Sequence, residues 1–304
     1  MSGPKLSPFD LSNLTTEVTA ADLIDTAFFA YNAARLREAC QLFATNLLRE
    51  DVTIGVSLSG ALTPAGLGTS CLVPLIQHNY IDWIVTTGAI LYHDLHLGLG
   101  YSFYRGSPHL DDTELRRQKL IRIYDVIIEF DAMRATDRWL RGLFQESDFQ
   151  RPIGSAELHY RVGEAIAESE KHLGLGRTTI LAAAFAAGVP IYVASPGDSS
   201  IGLVIAERAL VEKTVTFNIS RDVNETAAIV YHAKHHGKSA AIAVGGGAPK
   251  NFLLQTGPQL EDILGLEKMP HDYFIQFTDA RPDTGGLSGA TPSEAVSWGK
   301  IDPE

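Results

Sequence analysis

The residues best equipped for chemistry lie near the end of the sequence, where Trp298 and Lys300 follow a short, well-punctuated segment. Thr291 suits an N-cap, Pro292 fits the first helical position, and Glu294 has the spacing of a capping box. Gly299 can take the left-handed conformation that ends a helix. Lys300 then leaves the helix end at a fixed angle, beside the Trp298 ring. A lysine held against an aromatic wall, partly out of water, loses some preference for its ammonium form. The neutral amine can attack a carbonyl or an imine. The plainer alternative is a solvated lysine favoured by the helix dipole.

Such a lysine needs a scaffold. Residues 1–19 read as irregular, and apolar spacing predicts a helix from Asp22 to Leu48. Strands are expected over Val52–Leu58, Ile81–Thr86, Pro190–Ala194, Thr214–Asn218, Ser239–Val244 and Asp272–Phe277. Helices are expected near Gly68–His78, Ser155–Leu173, Thr178–Ala187 and Arg221–His236, and residues 111–150 read as mostly helical. Apolar strands alternating with helices imply an α/β fold, a parallel sheet with helices on both faces. Four strands run into small residues: Ser59–Gly66, Thr86–Ala89, Pro196–Gly202 and Gly245–Asn251. Ligands of open α/β sheets bind beyond the carboxyl ends of strands, where small residues let backbone N–H groups approach a phosphate. A dinucleotide fits this pattern, at a divergent Rossmann-like site without G-x-G-x-x-G after the first strand. No repeat or long linker interrupts the chain, so it reads as one domain over 1–304 with an N-terminal helical extension of about 1–48.

Composition narrows the partners. The 304 residues are 45% hydrophobic, enough for a large core, and carry a formal charge of −11. That balance argues against nucleic acid and anionic membranes, and suits a small cationic amine. No apolar run reaches 18 residues, and Met1–Lys5 does not begin a signal peptide. Two cysteines, Cys40 and Cys71, form no disulfide framework or metal spacing and are expected to pack as small apolar groups in a reducing cytoplasm.

Other candidates have simpler explanations. His93, Asp94 and His96 could serve proton transfer, or the histidines could be satisfied hydrogen-bonding groups. His232, His235 and His236 fit solvated charge at a helix end better than a metal. Ser199 and Ser200 lack a nucleophile elbow, and Lys250 lacks P-loop spacing. No metal is expected.

The same pieces, in this order, resemble the deoxyhypusine synthase family. The resemblance rests on Ser59–Gly66, Gln77–Asn79, Val85–Ala89, His93–Asp94, Asp198–Gly202, Gly245–Asn251 and Ser288–Lys300, and spans residue 20 to the end. It implies a Rossmann-like fold, a homotetramer and bound NAD. The implied reaction is aminobutyl transfer. Spermidine gives up hydride to NAD, the lysine attacks the resulting imine, and 1,3-diaminopropane leaves. An acceptor amine then takes the group from the lysine imine, and the hydride returns. The acceptor is a protein lysine in the namesake enzymes and putrescine in homospermidine synthases.

By this resemblance Lys300 forms the imine, Trp298 walls the polyamine pocket, and Glu294 holds a substrate ammonium. Asn251 and His93 are the nearest polar helpers, with Gln255 one turn after Asn251. Gly60, Ala61, Thr87, Gly88, Ala89, Asp198, Gly246 and Gly247 fall where the family contacts NAD, and Asp279 and Ala280 lie near another cofactor position. Asp198 suits a ribose hydroxyl, against a turn-capping role before Ser199. Departures accompany the match. Leu203 and Leu287 stand where acids are expected, Asn251 where a histidine is, and His93 where an acid is. Losing two anions removes two charge-assisted hydrogen bonds, each about 1.5–3 kcal/mol. The expectation is therefore a changed amine, with a free amine preferred over a protein as acceptor. The alternative is a homologue that binds NAD or amine without turnover. An ordinary NAD-dependent dehydrogenase, a third reading, would not need Lys300. Family members continue past the equivalent of Glu304 with a strand and helix that help close the cofactor site.

Overall fold

The computed structural model describes residues 17–60, 62–211 and 215–303. Ala61, expected at the cofactor, and Thr214, expected to begin a strand, lie outside the described residues. By internal contacts the chain divides into two units, Met1–Val52 and Thr53–Glu304.

The first unit holds α1 (Ala20–Ala27) and α2 (Tyr31–Leu42), the latter running into a π-turn at Phe43–Leu47. The single helix expected from Asp22 to Leu48 is therefore interrupted. Ala30 is extended and Tyr31 has a φ of 56°. Apolar spacing resumes beyond the break, so periodicity alone does not reveal it.

The second unit is built on β1 (Val52–Leu58), α3 (Val73–Gln77), β2 (Trp83–Thr86), α4 (Gly88–Gly98), β3 (Tyr104–Arg105), α5 (Asp112–Arg117), β4 (Leu120–Ile123), β5 (Val126–Glu129) and α6 (Phe130–Leu143). It continues with β6 (Pro152–Ile153), α7 (Ser155–Leu173), α8 (Ile180–Ala187), β7 (Ile191–Val193), α9 (Ser200–Leu210), β8 (Thr216–Phe217) and α10 (Ile219–His236). The last elements are β9 (Lys238–Val244), α11 (Gly247–Leu254), α12 (Thr256–Pro258), β10 (Tyr273–Phe277) and α13 (Pro292–Ser297).

Among the described residues the central sheet runs β10-β9-β1-β2-β7. The pairs β1–β2, β2–β7 and β9–β10 are parallel. Helices flank this sheet, as the alternating pattern predicts. Its strands are largely apolar because helices cover both faces, with Ser57 of β1 and Gln276 of β10 among the exceptions. Details differ from expectation. Residues 111–150 are mostly helical, in α5, α6 and a short turn at Ser147–Phe149, but between the two helices β4 and β5 form a hairpin that β3 extends into a three-stranded antiparallel sheet. Lys119 and Tyr124, both at positive φ, turn the chain there, and the surrounding charges hide the short apolar alternation. The strand expected over Thr214–Asn218 pairs only with β6, outside the main sheet. Cys40 and Cys71 are exposed thiols, not packed apolar groups; beside Cys71 the buried places go to Leu72 and Val73.

The parallel arrangement gathers the small-residue loops along one edge. Ser59 N–H donates to Val244 O at 3.0 Å, so β1 and β9 end side by side. A Cβ on Gly88 would come within 2.3 Å of Ser199 Oγ, which places the loop after β2 against the loop after β7.

Candidate active site

The backbone on either side of Lys300 is held tightly. Thr291 caps α13 by accepting from Glu294 N–H at 3.2 Å, and Gly299 takes a φ of 67° just past the helix. Lys300 N–H donates to Ala295 O, and Lys300 O accepts from His271 N–H. His271 itself is buried, with its ring between Ser239 Oγ and Thr256 Oγ1. Ala295 and Ile301 sit in one core cluster with Trp83, Leu253 and Met269. Burying Ile301 contributes about 1.5–3 kcal/mol. This anchors the segment and leaves the intervening Lys300 side chain to face outward.

That side chain lines a cavity of about 290 Å³ with Asn251, Gln255, Leu287, Glu294 and Trp298. Lys300 Nζ donates to Asn251 Oδ1 at 3.0 Å and lies 5.4 Å from the centre of the Trp298 ring. Burial pulls Lys300 below the ordinary lysine range, against the opposing pull of Glu294. The Glu294 carboxylate makes no return bond to Thr291, so the capping box is only half formed. It faces the cavity instead, where it can meet an ammonium. A lysine amine pulled toward its neutral form, an aromatic wall and a carboxylate in one cavity have the parts needed to bind an amine and attack its oxidised carbon.

Sequence reasoning passed over Lys250. It is buried, and Nζ donates to Gln276 Oε1, Ala290 O and Leu287 O at 2.9, 2.7 and 3.4 Å. Gln276 Nε2 in turn donates to Gly245 O and Ser288 O. Together they brace the 287–290 turn that enters α13. Burial, assisted by the neighbouring Lys300, lowers Lys250, while Glu294 opposes that shift. The available signal was its place three residues after a glycine run at a strand end.

The expected cofactor residues lie along the carboxyl edge. Helix α4 starts at Gly88 without a side-chain cap, and the Thr87 hydroxyl beneath it is buried without a partner among the described residues. An uncapped helix start beside an idle hydroxyl fits a phosphate. Gly60, at a φ of 81°, and Gly247, first residue of α11, border the same edge. Asp198 does not cap the following helix; Ser199 does, which leaves the exposed carboxylate available for a hydroxyl. Gly246 N–H is already engaged by Ser59 Oγ at 2.9 Å, so its contribution is closeness: a Cβ there would fall 2.4 Å from Ser288 Cα. Asp279 and Ala280 follow β10, with Ala280 N–H bonded to Thr278 Oγ1. The residues present therefore fit a dinucleotide.

His93 does not line the Lys300 cavity. From α4 it packs against His96 of the same helix and Phe103 beyond the helix end, and burial lowers its pKa. His96, driven to about 3 chiefly by burial, bonds Thr136 Oγ1 through Nδ1. Asp94 is structural: its carboxylate accepts from Ile180 and Leu181 N–H groups at 3.0 and 2.9 Å, capping α8 with Thr179 and Glu170. Among the described residues no three His, Cys, Asp or Glu side chains converge as a metal would require. His235 and His236 bond carbonyls of their own helix. No helix among the described residues is long and apolar enough to cross a membrane.

Comparison with known proteins identifies the family of the chain. The chain is 57% identical over 303 residues to a deoxyhypusine synthase-like protein of Nostoc punctiforme, covering 99% of this chain and 77% of that one. It is 55% identical over 303 residues to another such protein from Nostoc sp., covering 99% and 78%. A crystal structure described as a "putative deoxyhypusine synthase" from Entamoeba histolytica shares the fold, with a TM-score of 0.61 at 17% identity over 98% of this chain and 96% of that one. Residues 23–304 match the family model for deoxyhypusine synthase, and the chain belongs to the deoxyhypusine synthase family.

Proposed function

We propose that the protein is an NAD-dependent transferase that moves an aminobutyl group from a polyamine through an imine on Lys300. The observation that carries this reading is the Lys300 amine, half-withdrawn from water and fixed by Asn251 beside Trp298 and Glu294. Glu294 holds the substrate ammonium, and the Trp298 ring covers the methylene chain. Gln255 and Asn251 supply neutral hydrogen bonds. Lys300 Nζ adds to the imine carbon of the oxidised amine; that carbon's bond to the departing nitrogen breaks, and the departing amine carries away the protons shed by Nζ. Gly60, Thr87, Gly88, Ala89, Asp198 and Gly247, with Asp279 and Ala280, are the residues we assign to the dinucleotide, and Gly246 lets the 288 turn close against them. When bound, NAD supplies the hydride acceptor and donor. We place the enzyme in the cytoplasm as a homotetramer. The exposed Trp298, Leu203 and Leu287 (64%, 63% and 50% accessible) offer apolar surface for a subunit contact.

Incubation with NAD and spermidine, borohydride reduction and mass spectrometry should find an aminobutyl adduct on Lys300. Absence of an adduct with any polyamine, in protein that binds NAD, would refute the reading. A second reading, a homologue that binds without turnover, is favoured by Leu287 in the cavity wall. It predicts calorimetric NAD binding with no hydride transfer.

A further inference from the structure

The chain carries 25 lysines and arginines against 36 acids, so cations gathered without a carboxylate stand out. One cavity, of about 220 Å³, is lined by Arg116, Lys119 and Arg134 with Phe130, Leu120 and Ile121. No acid is in its wall, and it shares no wall residue with the Lys300 cavity. Close by in sequence, Arg117 and Arg122 pair with Glu114 and Asp112 at 3.3 and 2.7 Å. Arg116, Lys119 and Arg134 form no ion pair among the described residues.

The local fold aims these cations at one space. The guanidinium groups of Arg116 and Arg134 both lie over the Phe130 ring, 5.7 and 5.5 Å from its centre. A stacked guanidinium spends its face on the ring and keeps its N–H edge for a planar or tetrahedral oxyanion. Phe130 is the first residue of α6, and that helix starts without a side-chain cap. Its first turn therefore adds free N–H groups and the positive end of the helix dipole. Glu129 and Asp131, the acids of that helix start, do not line the cavity. Lys119 sits at a φ of 58°, a conformation glycine would take without strain. It is pinned there by its own N–H bond to Arg116 O at 3.2 Å and by the Phe130 N–H bond to its carbonyl at 2.9 Å. A strained lysine thus supplies the third cation where an unstrained glycine would supply none. Three like charges around one small space repel each other, and an entering anion relieves that repulsion.

We propose that this cavity binds a small phosphate monoester. The dianionic phosphate meets two guanidinium edges and one ammonium, and Leu120 and Ile121 receive the short carbon part. A single carboxylate would leave most of the positive charge unanswered. The site does not depend on the transferase reading, and its test reads binding rather than turnover.

The full-length protein is titrated calorimetrically with glycerol 3-phosphate at constant ionic strength, near about pH 8, where the ester carries two charges. Methyl sulfate is the monoanionic comparison and NAD the competitor. One molecule should bind per chain with a dissociation constant of about 1 mM or below. Arg116→Gln and Arg134→Gln should each weaken binding about tenfold, the loss of one charge-assisted contact. Arg138→Gln removes the same charge from α6 outside the cavity and should change nothing. Lys119→Gly should weaken binding without lowering the melting temperature, because it relieves the left-handed strain. NAD should not compete. Absence of saturable binding would overturn the inference, and so would equal affinity for methyl sulfate, the mark of a general anion patch. Equal weakening by Arg138→Gln would overturn it by showing that only net charge matters. Displacement by NAD would overturn it by assigning the cavity to the cofactor.

Discussion

Gly246→Ala tests how closely the cofactor edge and the lysine cavity are joined. Gly246 has a φ of −173°, outside the left-handed region that favours glycine. The obstacle is space. The added methyl would stand 2.4 Å from Ser288 Cα and 2.7 Å from Ser288 Cβ. Carbon pairs settle at about 3.5–4.0 Å, so the 288 turn must retreat by roughly 1 Å. That turn is braced by Lys250 and Gln276 through the carbonyls of Leu287, Ser288 and Ala290, and retreat strains all three bonds. Overpacking of this kind costs about 1–3 kcal/mol, which lowers the melting temperature by roughly 2–10 °C in a unit of this size. The same shift moves Leu287 and Ala290 in the wall beside Lys300. A displacement near 1 Å costs about a hundredfold in a positioned reaction. Differential scanning calorimetry and the rate of borohydride-trapped adduct read the two effects. Gly142→Ala is the control, since nothing lies within 4 Å of its added methyl. If Gly246→Ala melts and loads Lys300 like the wild type, the contact across the two sites is not what positions the cavity.

Two further outcomes follow from charge. Glu294→Gln removes the group that holds the Lys300 pKa up against burial, so more neutral amine exists at any given pH. The midpoint of adduct formation against pH should move to lower pH, and half-saturation by spermidine should rise about fivefold, the upper range for an exposed ion pair. An unmoved or alkaline-shifted midpoint would contradict the assignment. Asp94 concerns stability. Burial raises its pKa from 3.8 to about 7, so between those values the folded chain holds a proton that the unfolded chain has released. Its contribution therefore makes stability fall as pH rises through that window, by at most about 1.4 kcal/mol per pH unit. Urea midpoints measured between pH 4.5 and 7 should decline less steeply in Asp94→Asn, and parallel curves would show that Asp94 does not titrate there.

The central sheet was legible because its strands are short apolar runs bounded by small residues, and because helices of ordinary length separate them. The lysine segment was legible for another reason: Thr291, Pro292 and Gly299 are local signals, and local signals survive in any tertiary context. The losses were all of kinds that local patterns do not carry. The β4–β5 hairpin depends on positive-φ residues, Lys119 and Tyr124, that are not glycine or asparagine. The role of Asp94 depends on a helix start 86 residues later in the chain. Of Lys250 the sequence shows only that it lacks P-loop spacing, because its partners at positions 276, 287 and 290 become neighbours only after folding. Asn251 and Lys300, 49 residues apart, were linked beforehand only by resemblance to a family, and their hydrogen bond gives that link a physical form.

On the transferase reading, the charges around Lys300 let a cavity short of acids still favour reaction. Lys250, Lys300 and Glu294 are the ionisable side chains in its wall. Lys250 and Lys300 both feel the single Glu294 carboxylate before any substrate arrives. An entering cationic amine adds a third positive charge, and the cheapest relief is for Lys300 to release its proton, because Lys250 is committed to three acceptors. Linkage makes the effect mutual: the cation lowers the Lys300 pKa by the same free energy that a neutral Lys300 adds to the cation's binding. Extra acids would tighten the grip on the amine, but they would also stabilise the ammonium of Lys300. On the transferase reading, Leu287 and Ala290 in the wall make binding weaker and let the arriving amine free the nucleophile that attacks it.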